Sequence, residues 1–250
     1  MSLVMIQNLT KTYKNGKRAV DDLTLSIEQG TIHGFIGHNG AGKTTTLKCM
    51  TGILDFEAGE ITINGHSIKH NPIACKQQVA YIPDNPDLYE SLTGILYLNF
   101  IADVCGIDKN ARETRIKRHA EAFELLPNLG DLISSYSHGM KQKLALISAF
   151  IREPALLVLD EPFVGLDPRA AHTMKEQLRA FCNTGSAVFF STHVLDVAEK
   201  LCDNVSIIRG GKLIANGPTA VVKGDSSLES LFLELTDTNG DTQASEVQPV

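Results

Sequence analysis

The stretch "GHNGAGKT", Gly37 to Thr44, decides how this chain folds. It fits the pattern G-x-x-x-x-G-K-[ST]. Phosphate oxygens need many donors packed closely around them. Glycines let the backbone curl so that successive N–H groups point inward, and a helix starting near Lys43 adds its positive end. Lys43 should reach the β- and γ-phosphates, and the Thr44 hydroxyl should hold Mg²⁺. The neighbours have the required order: the strand-like "TIHGFIG" precedes the loop and the helix-like "KTTTLKCMTG" follows it.

Upstream, Leu23, Leu25 and Ile27 alternate, as do Ile61 and Ile63 in "GEITING", so the first third reads as strands. From Leu92 to about Leu126 the period becomes helical. Leu96, Phe100 and Val104 are four apart, as are Ile116 and Ala120 before Phe123, and Gly106 separates two helices. These apolar positions read as the core of a helical insertion near residues 86–140. Two short apolar runs, "ALLVLD" (155–160) and "AVFFS" (187–191), flank a helical stretch from about Arg169 to Phe181. Runs of that kind suggest strands buried on both faces of a parallel sheet. "VSIIRGGKLIANG" (205–217) reads as two strands joined by a Gly-Gly turn.

Charge and composition narrow the class. The 250 residues are 43% hydrophobic, ordinary for a globular protein with a sizeable core. The net charge of −6 resides in the C-terminal stretch: Gly224–Val250 holds six acids and no Lys or Arg, and the remainder is balanced. The single basic cluster, Lys109, Arg112, Arg115, Lys117 and Arg118, has acids nearby and reads as a solvated helix face, so nucleic acid is not an expected partner. The five cysteines are never spaced as CxxC, which argues against a zinc site or a disulfide framework. With no apolar run of about 18 residues and no signal-like N-terminus, the expectation is a cytoplasmic chain. The tail after Asp237 is polar and expected to be disordered.

Three further positions carry chemistry. "LLVLDEP" ends a buried strand on Asp160 and Glu161, and ligands of a parallel sheet sit at the carboxyl ends of its strands. Asp160 can hold Mg²⁺ through water and Glu161 can polarise an attacking water; the plainer reading is a turn cap. "STHV" sets His193 after the next strand, where an imidazole can meet a γ-phosphate or orient water, or be an ordinary satisfied histidine. Tyr13 can stack on a base or serve in packing.

Gly37–Thr44, Tyr136–Met140 ("YSHGM"), "LLVLDEP", "GLDP" and "STH" occur in the order, and at about the spacing, found in ATP-binding cassette (ABC) proteins, and the resemblance spans residues 3 to 236. It implies an α/β fold: a P-loop NTPase core with a mostly parallel sheet, an N-terminal antiparallel β subdomain and an inserted α-helical subdomain. It also implies one ATP-binding domain over residues 1–236, with an acidic tail over 237–250.

The family's site residues carry over as follows. ATP would rest on Gly37, His38, Asn39, Gly40, Ala41, Gly42, Lys43, Thr44 and Thr45, with Tyr13 stacked on adenine. Thr44, Asp160 and Asp84 would hold Mg²⁺; Glu161 and His193 would be catalytic. The family's "LSGGQ" signature resembles Tyr136–Met140, so Ser137, His138, Gly139 and Met140 would close over ATP held by a second cassette, alike or different. His138 and Met140 depart from the commonest pattern, and Asp84 stands where the family usually has Gln. Asp167 resembles the aspartate that couples the two sites. The helical insertion would dock the cytoplasmic helices of an integral membrane permease, placing the chain on the inner face of the cell membrane. The "YSHGMKQK" and "IPDNP" variants look most like cassettes serving bacterial export permeases. The competing readings are a soluble cassette ATPase acting on nucleic acid or the ribosome, and a nucleotide sensor without turnover.

Overall fold

A computed structural model describes residues 2–237, so the polar tail from 238 onward lies outside the described residues. The chain opens with β1 (Ser2–Thr12), β2 (Arg18–Glu28) and β3 (Ile32–Ile36), then α1 (Lys43–Met50), β4 (Ala58–Ile63), β5 (His66–Ser67), α2 (Pro72–Gln78) and β6 (Val79–Ile82). The helical segment follows: α3 (Gly94–Val104), α4 (Lys109–Ala122), two 3-10 turns and α5 (His138–Phe150). The remainder is β7 (Leu156–Asp160), α6 (Pro168–Asn183), β8 (Ala187–Thr192), α7 (Leu195–Leu201), β9 (Asn204–Arg209), β10 (Lys212–Pro218), α8 (Thr219–Lys223) and α9 (Leu228–Asp237).

The strands form two sheets. One is antiparallel, ordered β2-β1-β4-β5; the other is ordered β10-β9-β3-β8-β7-β6, parallel throughout except for the edge strand β10. Side chains alternate across a strand, and in the parallel sheet that alternation divides two cores. Ile32, Ile36, Leu157, Leu159, Val188 and Phe190 face the helical side. Phe35, Leu156, Val158, Ala187 and Phe189 face α1 and the antiparallel sheet, where Leu23, Leu25, Ile27, Ile61 and Ile63 close the second core. The continuous apolar runs and the alternating ones therefore have the burial that the sequence predicts.

With both faces of the parallel sheet buried, ligands of such a sheet sit at the carboxyl ends of its strands. The register pairs Ile36 with Thr192, Asp160 with Ser191, and Ile82 with Leu159. The loops leaving β3, β8, β7 and β6 thus emerge side by side, carrying Gly37–Thr44, His193, Glu161 and Asp84.

The helical segment corrects one expectation. Tyr97, Leu98 and Ala102 form the buried face of α3, whereas Leu96, Phe100 and Val104 are exposed. The four-residue period is real, but the helices packed on α3 are α4 and α5, and among the described residues this stripe stays exposed. Ile116, Ala120 and Phe123 are buried as expected. Three basic residues of α4 pair with nearby acids: Arg112 with Asp103, Arg115 with Glu153, and Lys117 with Glu121.

Candidate functional site

The Gly37–Thr44 loop bends because glycine occupies the positions where a side chain cannot fit. Gly42 has φ +113°, and a Cβ there would collide with the Ala19 carbonyl oxygen. At Gly37 a Cβ would come within 2.6 Å of the Ile208 carbonyl oxygen. Gly42 is the N-cap of α1 and no side chain caps that helix end, so its first N–H groups and the helix dipole remain directed at the loop. Lys43 folds back beneath it: Nζ donates to the carbonyl oxygens of Gly37 at 2.6 Å and His38 at 3.3 Å.

Above the loop lies a cavity of about 370 Å³, lined by His38, Asn39, Gly40, Gly42, Lys43, Thr44 and Thr45, by Tyr13, Lys17 and Ala19, and by Asp84, Asp160 and Glu161. Tyr13 reaches the loop from the β1–β2 turn, with its hydroxyl 3.0 Å from Thr45 Oγ1. Ala41 is buried, and its carbonyl oxygen accepts from the Gly211 N–H, fixing the loop to the β9–β10 turn.

The strand-end acids differ in surroundings. Asp160 is buried, and its Oδ1 accepts a 2.5 Å hydrogen bond from Ser191 Oγ. Glu161 has φ +48°, a left-handed conformation that costs a non-glycine residue about 1–3 kcal/mol. The turn directs its carboxylate between two bases. Oε1 stands 3.2 Å from Lys43 Nζ and has no hydrogen-bond partner, while Oε2 lies 2.9 Å from His193 Nδ1 and also meets the His193 N–H. Lys43, Glu161 and His193, read from three separate stretches of sequence, form one chain of contacts. Tyr81, on β6, has its phenol pushed above the ordinary range by burial and then by the charges of Asp160 and Asp84.

Ser137, His138, Gly139 and Met140 do not line this cavity. Ser137 is the N-cap of α5, its Oγ accepting from the Met140 N–H at 3.3 Å, so the helix begins at His138 rather than near Met140. The four residues are exposed or half-buried. Asp167 also lies outside the cavity and is exposed; it caps α6, and the Ala170 N–H holds its carboxyl below the usual range. The two regions touch through His138, whose ring abuts Gly165.

A family model described as "ABC transporter" matches residues 20–164. The chain is 36% identical over 241 residues to the ABC-type transporter ATP-binding protein EcsA of Bacillus subtilis, covering 94% of this chain and 97% of EcsA. This chain belongs to the ABC transporter family. It is also 36% identical over 214 residues to the SkfA peptide export ATP-binding protein SkfE of Bacillus subtilis, covering 86% of this chain and 88% of SkfE. A solved structure described as the ATP binding subunit of an ABC transporter superposes with a TM-score of 0.89 at 34% identity, covering 94% of this chain and all of that one. The fold is that of an ABC ATP-binding domain, with the mixed sheet, antiparallel sheet and helices expected from the sequence.

Several ABC-site neighbours escaped the sequence reading. Lys17 and Ala19 line the cavity from β2 and the turn before it. Gln142 is buried on α5 and its Nε2 donates to the Pro162 carbonyl oxygen at 2.5 Å, tying α5 to the turn after β7. Phe232 of α9 lies 4.6 Å, centroid to centroid, from the His38 ring. None belongs to a local motif; Gln142 alone had a signal, its place in the quoted "YSHGMKQK".

Proposed function

We propose that this chain is the ATP-hydrolysing subunit of an ABC transporter, coupling ATP-driven pairing of two such subunits to movement of a substrate by a separate membrane permease. The observation that carries this is the convergence of Lys43, Glu161 and His193 at the phosphate loop. A binding module needs the lysine; it has no use for a carboxylate braced by a histidine beside it.

In this reading the triphosphate rests on the N–H groups of Gly37–Thr44, Lys43 binds its terminal phosphates, and Tyr13 faces the adenine. Mg²⁺ fits the hard oxygen donors on the cavity wall, the Thr44 hydroxyl and Asp160, with Asp84 at the rim; this cation is commonly held by one or two carboxylates plus phosphate and water. When bound, it would neutralise phosphate charge. Glu161 accepts the proton of the attacking water, and His193 holds the glutamate in place and faces the developing charge. General-base action of this kind contributes a factor of about 10²–10⁴.

Ser137 and Gly139 offer a hydroxyl and an uncrowded backbone at the start of α5, suited to the γ-phosphate of a second subunit. Asp167 would relay between the two sites. No helix of the described residues is long and apolar enough to cross a membrane; in this reading the permease is a separate protein. The exposed Leu96, Phe100 and Val104, joined by Tyr89 edge-on to Phe100, supply an apolar face for its cytoplasmic helices. Export is the direction favoured by the likeness to SkfE. The chain would then work at the inner face of the cell membrane.

The test measures Mg²⁺-dependent phosphate release and ATP affinity in the wild type and in Lys43→Ala. Turnover in the wild type, with ATP binding lost in the variant, is expected. ATP affinity unchanged by Lys43→Ala overturns the assignment of the loop.

A further inference from the structure

We propose that Ser191 is a positioning residue that sets both strand-end acids at once; this rests on reading Asp160 as the metal-side carboxylate and Glu161 as the base. Ser191 is fully buried on β8, directly opposite Asp160 of β7. Its hydroxyl is 2.5 Å from Asp160 Oδ1 and 3.0 Å from the Glu161 main-chain nitrogen. The polarity of this pair of bonds is fixed. The Glu161 N–H can only donate, so a lone pair of the Ser191 oxygen faces it and the single hydroxyl proton points to Asp160 Oδ1. The Ser191 carbonyl oxygen shares that N–H at 3.2 Å.

Two consequences follow from the placement. Asp160 has one oxygen committed to Ser191, which fixes the rotation of the carboxylate and leaves the other oxygen for the cavity. Glu161 adopts its left-handed φ of +48° at the residue whose N–H Ser191 grips, and that turn sends its side chain toward Lys43 and His193 instead of along the strand. A single hydroxyl thereby couples the aim of the metal-side group to the aim of the base. Alanine at this position keeps the strand and its main-chain bonds but removes both side-chain contacts.

The experiment compares the wild type with Ser191→Ala and Ser191→Thr, using a fluorescent ATP analogue titrated with Mg²⁺ and with EDTA, steady-state phosphate release, and hydrogen exchange at the Glu161 amide in nucleotide-free protein. For Ser191→Ala, affinity in EDTA should stay within about twofold of wild type. The gain in affinity on adding Mg²⁺ should fall about 10-fold, and kcat should fall at least about 10-fold with KM little changed, as expected for a hydrogen bond to a charged group. The Glu161 amide should exchange about 10-fold faster, and Ser191→Thr, which keeps the hydroxyl, should restore all three. Should the alanine variant not fold, Ser191→Cys, of similar size and a weak donor, carries the same comparison. Mg²⁺ dependence and amide exchange matching wild type in Ser191→Ala, or a loss that threonine does not restore, overturns the proposal alone. A wild type whose affinity is indifferent to Mg²⁺ overturns the underlying reading of Asp160 instead.

Discussion

Lys43 Nζ stands 3.2 Å from Glu161 Oε1, both side chains nearly enclosed. The cation that would grip phosphate and the carboxylate that would activate water are each other's counter-charge. A triphosphate must therefore compete with Glu161 for the lysine, and the same carboxylate repels it.

Glu161→Gln should separate these effects. The neutral amide keeps the shape, frees Lys43 and ends the repulsion, so ATP affinity should rise a few-fold while hydrolysis falls by about 10²–10⁴. Equilibrium titration and single-turnover phosphate release measure the two. Turnover near the wild-type rate removes Glu161 from the role of base.

Ser137→Arg should block pairing without touching the chain's own cavity, since Ser137 does not line it. On the Glu161→Gln background, light scattering with ATP should report dimers for Ser137 and monomers for the arginine variant, with each subunit still binding ATP. An ATP-bound dimer of the arginine variant would end the proposal that α5 faces a partner's nucleotide.

Leu96 and Phe100 are 54% and 41% exposed, so replacing them costs the fold little. The double variant Leu96→Asp, Phe100→Asp should keep ATP affinity and its melting temperature within a few degrees, yet lose co-purification with the permease from detergent-solubilised membranes. Undiminished co-purification would move the docking face elsewhere.

His33 gives a pH dependence of stability. It is buried on β3, its Nε2 2.7 Å from Ser206 Oγ, and Ser206 spends its own proton on Asn216, so Nε2–H is the donor and Nδ1 is left bare. Burial pushes its pKa from 6.5 down to about 4. The unfolded chain takes up the proton below pH 6.5 and the folded chain does not until about pH 4, so stability falls as pH drops across that window, by roughly 3 kcal/mol in full. Thermal melts of wild type and His33→Gln at pH 7 and pH 4.5 check this: the variant should lose less on acidification. Equal losses would assign the acid sensitivity to other groups.

What could be read from the chain beforehand depended on range. Gly37–Thr44, Asp160, Glu161 and His193 lie in short stretches whose strand-then-loop pattern places them at one sheet edge, because parallel strands put their carboxyl ends together. Ser191 was in plain view in "STH", but its importance comes from a pairing with Asp160 that only the β7–β8 register reveals. Leu96, Phe100 and Val104 show the opposite failure. Period identifies which residues share a helix face; it says nothing about whether another helix covers it. The contact of His38 with Phe232 joins residues nearly two hundred positions apart, and no local pattern encodes it.

That last contact has a practical reach. Phe232 anchors α9 on the rim of the phosphate loop, and Arg209 clasps the same helix through the Leu235 carbonyl oxygen at 2.5 Å. Whatever is attached at the end of α9 is tethered close to the phosphate loop. An affinity handle or fluorescent reporter attached there would sense, and disturb, occupancy of the site, whereas one attached at the start of β1 would hang from the antiparallel sheet.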